Sequence, residues 1–491
     1  MAKKAIPSIG IIGSGIAGLA SAVRLSALGL DVTVYEQQAT YGGKMGEVLL
    51  GEYRFDTGPS LFTMPHYVKE VLALTEDNQE DFGYSKLDVL SHYFWDDGTK
   101  MKAYADQNSL AQEFEDKLGE PRKAVHQFLR RARTKFEITN HVFLEKSLHR
   151  LSTYLNSGTF FSFLKLSKVE IFKNMNAQNK KLFKTAKATQ FFNRYATYNG
   201  SNPYAAPATL NVIPHYEYGF GAFFPNNGIR SIATSLYHKA IRQGVEFNFN
   251  YSVSEVEKFK EGYRINKAVS KDVLVCNMDI VTASRGPLKD LIPKKNKNYE
   301  PSSSALIFYW GIKKKFKALD VHNIFFSNDY KKEFKTIFND KSIGDDITVY
   351  IHISSKIKKD DAPKYGENWF VMVNAPHIDK QDWEVLIHKT RSLILKKVSK
   401  ILGSDIAELI EEEEILTPQK IYSNTGSFKG ALYGSSSNKR LSAFLRQPNF
   451  SSKHKGLYFC GGSSHPGGGI PLCLLSSKIM VEKLKEDYDL Y

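Results

Sequence analysis

The stretch Ser8–Glu36, SIGIIGSGIAGLASAVRLSALGLDVTVYE, decides the fold. The apolar run Ile9–Ile12 reads as a short buried strand. It stops at Gly13, Gly15 and Gly18, spaced G-x-G-x-x-G. Leu19, Ala20, Ala22, Val23, Leu25 and Leu28 then recur at helical spacing up to Gly29, a C-terminal stop. Val32, Val34 and Tyr35 restart a strand that ends on Glu36. Strand, glycine turn, helix, second strand and terminal acid in this register predict a βαβ dinucleotide-binding unit. Gly13 permits the tight turn, Gly15 lets the backbone approach a pyrophosphate, and Gly18 lets helix and strand pack closely. Ser14, Ile16 and Ala17 share this turn and helix start, where free N–H groups and the positive end of the helix dipole favour phosphate. Glu36, with Gln37 beside it, is placed to accept hydrogen bonds from a ribose. A glycine turn that binds nothing would leave Glu36 unexplained.

Near the other end the chain repeats this grammar. Lys455–Gly462 reads as a strand running into a glycine turn, Ser463–Pro471 as a loop, and Leu472, Leu474, Leu475, Ile479, Val481 and Leu484 as a helix. Two βα units more than 400 residues apart would each aim a helix at one long cofactor, and FAD has that length. Between them, Tyr41-Gly42-Gly43-Lys44-Met45 again offers backbone amides and a cation near a phosphate. Gly58-Pro59 in Phe55–Ser60 is a turn signal.

With 491 residues, 42% of them apolar, the chain can fill two or three domains. Cys276, Cys460 and Cys473 are too few and too scattered for a disulfide framework or a metal site, which fits a reducing compartment. No secretory signal is visible, and no run approaches the ~20 apolar residues needed to span a bilayer. The net charge of +15 is unevenly placed: sixteen Lys and Arg stand against three acids between Pro121 and Arg194. Phe128, Leu129, Phe136, Val142, Phe143, Leu144, Leu148, Leu151, Tyr154, Phe160, Phe161, Phe163, Leu164, Leu166, Ile171 and Phe172 interleave with these charges. Basic amphipathic helices of this kind suit an anionic membrane surface. No nucleic-acid-binding motif accompanies them, so nucleic acid is not the expected partner. A solvated basic face is the plainer alternative.

The rest of the chain reads coarsely. Helices are expected over 66–78, 229–243 and 383–401. Strand pattern runs from Tyr93 to Trp95 into a hairpin, over 244–249 with Val253 and Val256 continuing it, over 271–277, and through much of 302–375. The acidic run Glu411–Glu414 reads as a surface segment.

Taken together, GSGIAG with Glu36, YGGKMG, FDTGPS, NPYAAPA, YEYGFGAFFPNNG and LYFCGGSSHPGGGIP resemble the FAD-dependent carotenoid desaturases of the phytoene desaturase type, within the amine-oxidase-like flavoproteins. The resemblance covers essentially the whole length. It implies an α/β (α+β) fold with a Rossmann-like FAD-binding domain (1–95, 205–295 and 415–491) of the amine-oxidase and glutathione-reductase kind. A mixed β-sheet substrate domain (96–120 and 296–414) and a basic helical membrane-facing region (121–204) complete it. It implies that Gly13, Gly15, Gly18, Glu36, Gly42, Gly43 and Lys44 hold the ADP and pyrophosphate portion, with Met45 alongside. Val253 would meet the adenine through its backbone. Gly58, Pro59 and Ser60 would lie near the flavin ring, and Gly461, Gly462, Gly469, Ile470 and Pro471 would cover that end. The sequence departs from the family where Lys44 replaces a commoner arginine, a weaker bidentate phosphate partner. Asn226-Asn227-Gly228 stands where a glycine pair is frequent, and Gly462 lacks an acid found in many amine oxidases.

The implied chemistry is hydride transfer from a polyene to the flavin. Few catalytic side chains are needed in an apolar, dry tunnel. His465 is the first candidate for positioning or proton handling, with Glu217 and His215 behind it. The cysteines are expected to be packing residues, and most Phe and Tyr residues core. The implied partners are a carotenoid drawn from the bilayer, an anionic membrane surface, and a quinone or oxygen as electron acceptor. The implied location is cytoplasmic, peripheral on the inner face of the cell membrane. A hydroxylated-carotenoid 3,4-desaturase is favoured over a phytoene desaturase. The alternatives are an amine oxidase, a carotenoid isomerase, or a non-catalytic prenyl-lipid carrier like the Rab escort proteins.

Overall fold

The computed structural model describes residues 7–76, 82–140, 144–147, 149–150, 169–293, 300–439 and 446–490. Strand β1 (Ile9–Ile12), helix α1 (Ile16–Ser26) and strand β2 (Val32–Tyr35) form the expected unit. All four residues of each strand are buried, as suits strands covered on both faces. The sheet is parallel, with strand order Glu246–Asn248, β2, β1, Val273–Cys276 and Leu457–Phe459. Helix α1 packs between Arg230–Arg242 and the C-terminal helix Ile470–Tyr488. The first and last βα units are thus neighbours in space, separated in the sheet only by Val273–Cys276.

A second, seven-stranded sheet runs Ile410–Leu416, Ser304–Ile312, Glu367–Ala375, Val349–His352, His322–Phe325, Val89–Phe94 and Lys100–Tyr104. Its pairs are antiparallel except that of His322–Phe325 with Val89–Phe94. One face is sealed by helix Trp383–Leu402, through Leu386, Ile394 and Val398 against Phe308, Trp310 and Val371. The other face carries Ile307, Tyr309, Phe370 and Met372 and turns toward the cavity described below.

Three expectations change. The strand Val89–Phe94 belongs to the second sheet, so the boundary expected at residue 95 falls before Val89. Glu411–Glu414 lies at the surface as expected, with Glu411 and Glu413 exposed, and it does so within the edge strand Ile410–Leu416, where Glu413 accepts from Trp310 Nε1 (2.9 Å) and pairs with Arg391 (2.8 Å). Charges on an edge strand block pairing with other chains, so a strand can carry a composition that argues against it. Val256 does not continue Glu246–Asn248 but opens a separate three-stranded antiparallel sheet. The helix at His66 ends at Leu72, and Asn78 lies outside the described residues.

In helix Arg122–Thr139 the apolar side is spent on the core: Phe128 packs tilted against Phe192 (ring centroids 3.9 Å) and approaches Phe183 (5.6 Å). What remains outward is the basic side, with Arg122, Lys123, Arg130, Arg131 and Arg133 exposed. Lys135 is turned in, paired with Glu170 at 2.7 Å. Val142, Phe143, Leu148, Leu151, Tyr154, Phe160, Phe161, Phe163, Leu164 and Leu166 lie outside the described residues. No helix among the described residues is long and apolar enough to cross a membrane.

Candidate active site

The site begins where β1 ends. Gly13, at φ +95°, turns the chain, and its amide donates to the Tyr35 carbonyl at 2.8 Å. Helix α1 starts with Gly15 as N-cap and no side-chain cap, so its first amides keep their donors for a ligand. A Cβ on Gly18 would sit 2.1 Å from the Gly13 carbonyl oxygen, so the helix approaches the strand closely only because residue 18 is glycine. The second glycine loop docks on the first. The Gly42 amide donates to Ser14 O (3.0 Å), and a Cβ on Gly43 would lie 3.2 Å from Gly15 Cα. The Glu36 carboxylate accepts from Ser14 N (2.7 Å), Ser14 Oγ (2.8 Å) and Gln38 N (2.9 Å). These bonds fix it at the cavity wall with lone pairs to spare.

The last βα unit closes the opposite side. Gly461 (φ +103°) and Gly469 (φ +107°) shape the loop, and helix Ile470–Tyr488 starts without a side-chain cap. Asn277, just past Val273–Cys276, joins the two units: its Nδ2 donates to Gly13 O at 3.2 Å, and its Oδ1 lies 3.8 Å from Cys460 Sγ. Arg446 Nη1 donates to Tyr433 O (2.9 Å) and Gly462 O (3.1 Å), and its Nη2 to Asn199 Oδ1 (3.0 Å).

Between these loops lies one cavity of about 840 Å³. Gly13, Gly15, Ile16, Ala17, Glu36, Gln37, Gly42, Gly43, Lys44, Met45, Gly58, Pro59, Ser60, Val253, Gly461, Gly462, Gly469, Ile470 and Pro471 all line it. Ser14 and Gly18 do not; they build it from behind. The residues fit a dinucleotide. Two uncapped helix starts face one space, and a Cβ added to Gly58 or Gly469 would meet nothing within 4 Å. Away from the glycines the wall becomes apolar, with Leu61, Leu144, Leu210, Val212, Ile213 and Tyr216, and on the sheet side Ile307, Phe370 and Leu416.

Several expected roles move. His465 is almost wholly buried and is not on the cavity wall. Its Nε2 meets the Lys146 carbonyl at 2.9 Å, its ring faces His149, and burial lowers its pKa to about 4. Its neighbour Pro466 faces the cavity instead. Glu217 also lies behind the wall, accepting from Tyr195 and Tyr198 hydroxyls at 2.6 Å each. His215 packs among Phe136 and Phe220. Lys44 reaches the wall, but its ammonium donates to Leu432 O (2.7 Å) and Ala431 O (3.3 Å), and desolvation lowers its pKa. Cys276 and Cys460 are buried thiols with pKa pushed up to about 12, and Cys473 to about 11, so none is a thiolate nucleophile.

The residues missed are Asn277, Arg446 and a polar wall of Arg194, His322, Tyr330 and Tyr350, all lining the cavity. Asn277 had a readable signal: it follows a strand that pairs beside the fingerprint strand. The polar wall had none, because its members come from separate elements.

The chain matches the family described as flavin containing amine oxidoreductase over residues 16–484. It is 47% identical to a 1-hydroxycarotenoid 3,4-desaturase of a Flavobacterium species, covering 98% of each chain. It is 26% identical to a phytoene desaturase of Fusarium fujikuroi, covering 98% of this chain and 89% of that one. Among solved structures, cyclohexylamine oxidase from Brevibacterium oxydans superposes with a TM-score of 0.61 at 13% identity, covering 98% of this chain and 99% of that one. That last likeness concerns the fold alone.

Proposed function

The chain belongs to the flavin containing amine oxidoreductases and, within them, to the carotenoid desaturases, and on that premise we propose that it desaturates a hydroxylated carotenoid with FAD as cofactor. The single observation that carries this reading is the composition of the cavity. Glycine loops and two uncapped helix starts wall one end, and apolar side chains wall the rest. FAD, when bound, supplies the hydride acceptor, and the neighbouring carbon loses a proton as C–C becomes C=C. The chain's part is to bind, orient and exclude water. Backbone amides at Gly13–Ala17 and Gly42–Gly43 would hold the pyrophosphate, and Glu36 the ribose. Leu61, Leu210, Val212, Ile213 and Phe370 would align the polyene in a dry channel. A quinone or oxygen would take the electrons onward.

The polyene would come from a bilayer. The outward side of Arg122–Thr139, with Arg130 and Arg131, and the exposed Lys180, Lys181 and Phe172 support peripheral docking on the anionic inner face of the cell membrane. Liposome binding should weaken with salt and weaken further when Arg130, Arg131, Lys180 and Lys181 are neutralised. Binding indifferent to both would remove the electrostatic part.

The activity is tested by expressing the chain in bacterial hosts that accumulate phytoene, lycopene, γ-carotene or their 1-hydroxy derivatives. A product with a longer chromophore in a 1-hydroxy host is the expected result. A flavin-loaded protein that changes no carotenoid, but makes peroxide with amines, would overturn it.

A further inference from the structure

The cavity contains a feature that neither an apolar chain nor FAD phosphates would use. Arg194, His322 and Tyr330 are 8%, 3% and 4% exposed, and all line the cavity. Each keeps one buried polar atom with no hydrogen-bond partner among the described residues: Arg194 Nε, His322 Nε2 and Tyr330 Oη. Buried polar groups are nearly always satisfied, because a buried donor or acceptor left without a partner forfeits its hydration with nothing in return. Three on one wall imply a polar group that arrives with the ligand.

The rest of this wall is well satisfied, which singles these atoms out. Arg194 donates to Tyr93 Oη (2.7 Å) and Tyr198 Oη (3.1 Å), and Tyr198 donates onward to Glu217 (2.6 Å). His322 Nδ1 meets Tyr350 Oη at 2.7 Å, and Tyr350 meets Ser60 Oγ at 2.7 Å. The ring of Tyr330 is held edge-on by Phe326 and Phe334. Burial keeps His322 neutral and Tyr330 a phenol. One ring nitrogen of a neutral imidazole donates and the other accepts, and a phenol does both. A ligand alcohol likewise donates and accepts, so it suits this trio better than a carboxylate or an amine.

Resting on the desaturase reading above, we propose that Arg194, His322 and Tyr330 form a recognition pocket for the end-group hydroxyl of the carotenoid. Position supports this. In the substrate named for the Flavobacterium relative, the hydroxyl is on C1 and the new double bond joins C3 and C4. The carbinol carbon therefore sits two bonds from the reacting pair, and the pocket for its hydroxyl must adjoin the cofactor end of the cavity. Here it does: Tyr198 and Asn199 follow Arg194 closely in the chain, and Asn199 is tied through Arg446 to Gly462 in the C-terminal glycine loop. A site built to hydrogen-bond a hydroxyl rejects the analogue lacking it by about 10⁴-fold, because its own groups are left unpaired.

The test uses the full-length, FAD-loaded protein and a matched pair of polyenes, 1-hydroxy and 1-deoxy. Binding is read by quenching of intrinsic fluorescence, and conversion by chromatography. The variants are Tyr330→Phe, which deletes only the unpaired hydroxyl, and His322→Asn, whose amide can still meet Tyr350. Each is expected to weaken binding and kcat/KM for the 1-hydroxy polyene about tenfold. Binding of the deoxy polyene should hold or tighten, with flavin content unchanged. Tyr330→Phe should leave the thermal midpoint unchanged or raised, which a structural hydroxyl would not. Equal affinities for the two polyenes in the unaltered protein, or a preference that survives both variants, would overturn the pocket. A preference for the alcohol that both variants abolish, in a protein that converts neither polyene, would uphold the pocket and overturn the desaturase reading.

Discussion

The two ends of the cavity recognise their ligands by opposite means. At the parallel sheet the wall is main chain, with glycine loops that dock on each other and helix starts that keep their amides free. At the seven-stranded sheet the wall is side-chain tips set in an apolar surround: Arg194, His322 and Tyr330, each with one atom unpaired. Errors at the first end are steric and are felt in the folded protein even without ligand. Errors at the second are chemical and weaken function when a ligand arrives with, or without, its hydroxyl.

Gly18→Ala should show the steric rule at its strongest. The new Cβ would fall 2.1 Å from the Gly13 carbonyl, so helix α1 must shift away from the loop. The expected loss is at or above the upper end of about 1–3 kcal/mol for overpacking, with protein purified without flavin. Gly29→Ala is the control. Gly29 has φ +75° and open space around it, so it should lose only about 1–2 kcal/mol to backbone strain and keep its flavin. Equal thermal midpoints and flavin contents in the two variants would break the contrast.

Glu36→Ala sharpens it. Here a buried side chain does work at the main-chain end, holding Ser14 and Gln38. FAD should bind about ten- to a hundredfold more weakly, the effect of about 1.5–3 kcal/mol in charge-assisted hydrogen bonds. Conversion at saturating FAD should change little. Titration of the apoprotein followed by flavin fluorescence decides this, and an unchanged Kd would remove Glu36 from the site.

The smallest effect is in pH. His322 lies well below its ordinary 6.5, and His352 and His465 at about 4, because burial disfavours the imidazolium. These groups stay neutral in the fold while the unfolded chain takes up protons. Stability is therefore fully present above about pH 6.5 and falls as the pH drops toward 4. Thermal midpoints should be flat above neutrality and decline below about 6.5, and His465→Asn should make the decline shallower. A decline that begins only below 4 would place these histidines in more polar surroundings than the structure gives them.

The same contrast explains what the sequence made legible. Backbone recognition is written contiguously: Gly13, Gly15, Gly18 and Glu36 announce a strand, turn, helix and ribose acceptor within one βαβ unit. The C-terminal glycine loop could be matched to them by repeated grammar. Side-chain recognition is not contiguous. Arg194 opens a short 3-10 helix, His322 opens a strand and Tyr330 opens a helix, and only the tertiary fold brings them to one wall. His465 was misplaced because a motif locates a loop without saying which of its residues turn inward. Glu411–Glu414 was legible as surface but not as strand, because four glutamates carry no strand signal and their strand is imposed by pairing with Ser304–Ile312.

The central claim is tested most directly by an anaerobic single turnover. FAD-loaded protein is mixed with a stoichiometric 1-hydroxycarotenoid in lipid vesicles, and the flavin and polyene spectra are followed together. The expected result is loss of oxidised-flavin absorbance in step with a shift of the polyene to longer wavelength. Flavin that stays oxidised over an unchanged polyene, yet bleaches with an amine, would contradict it.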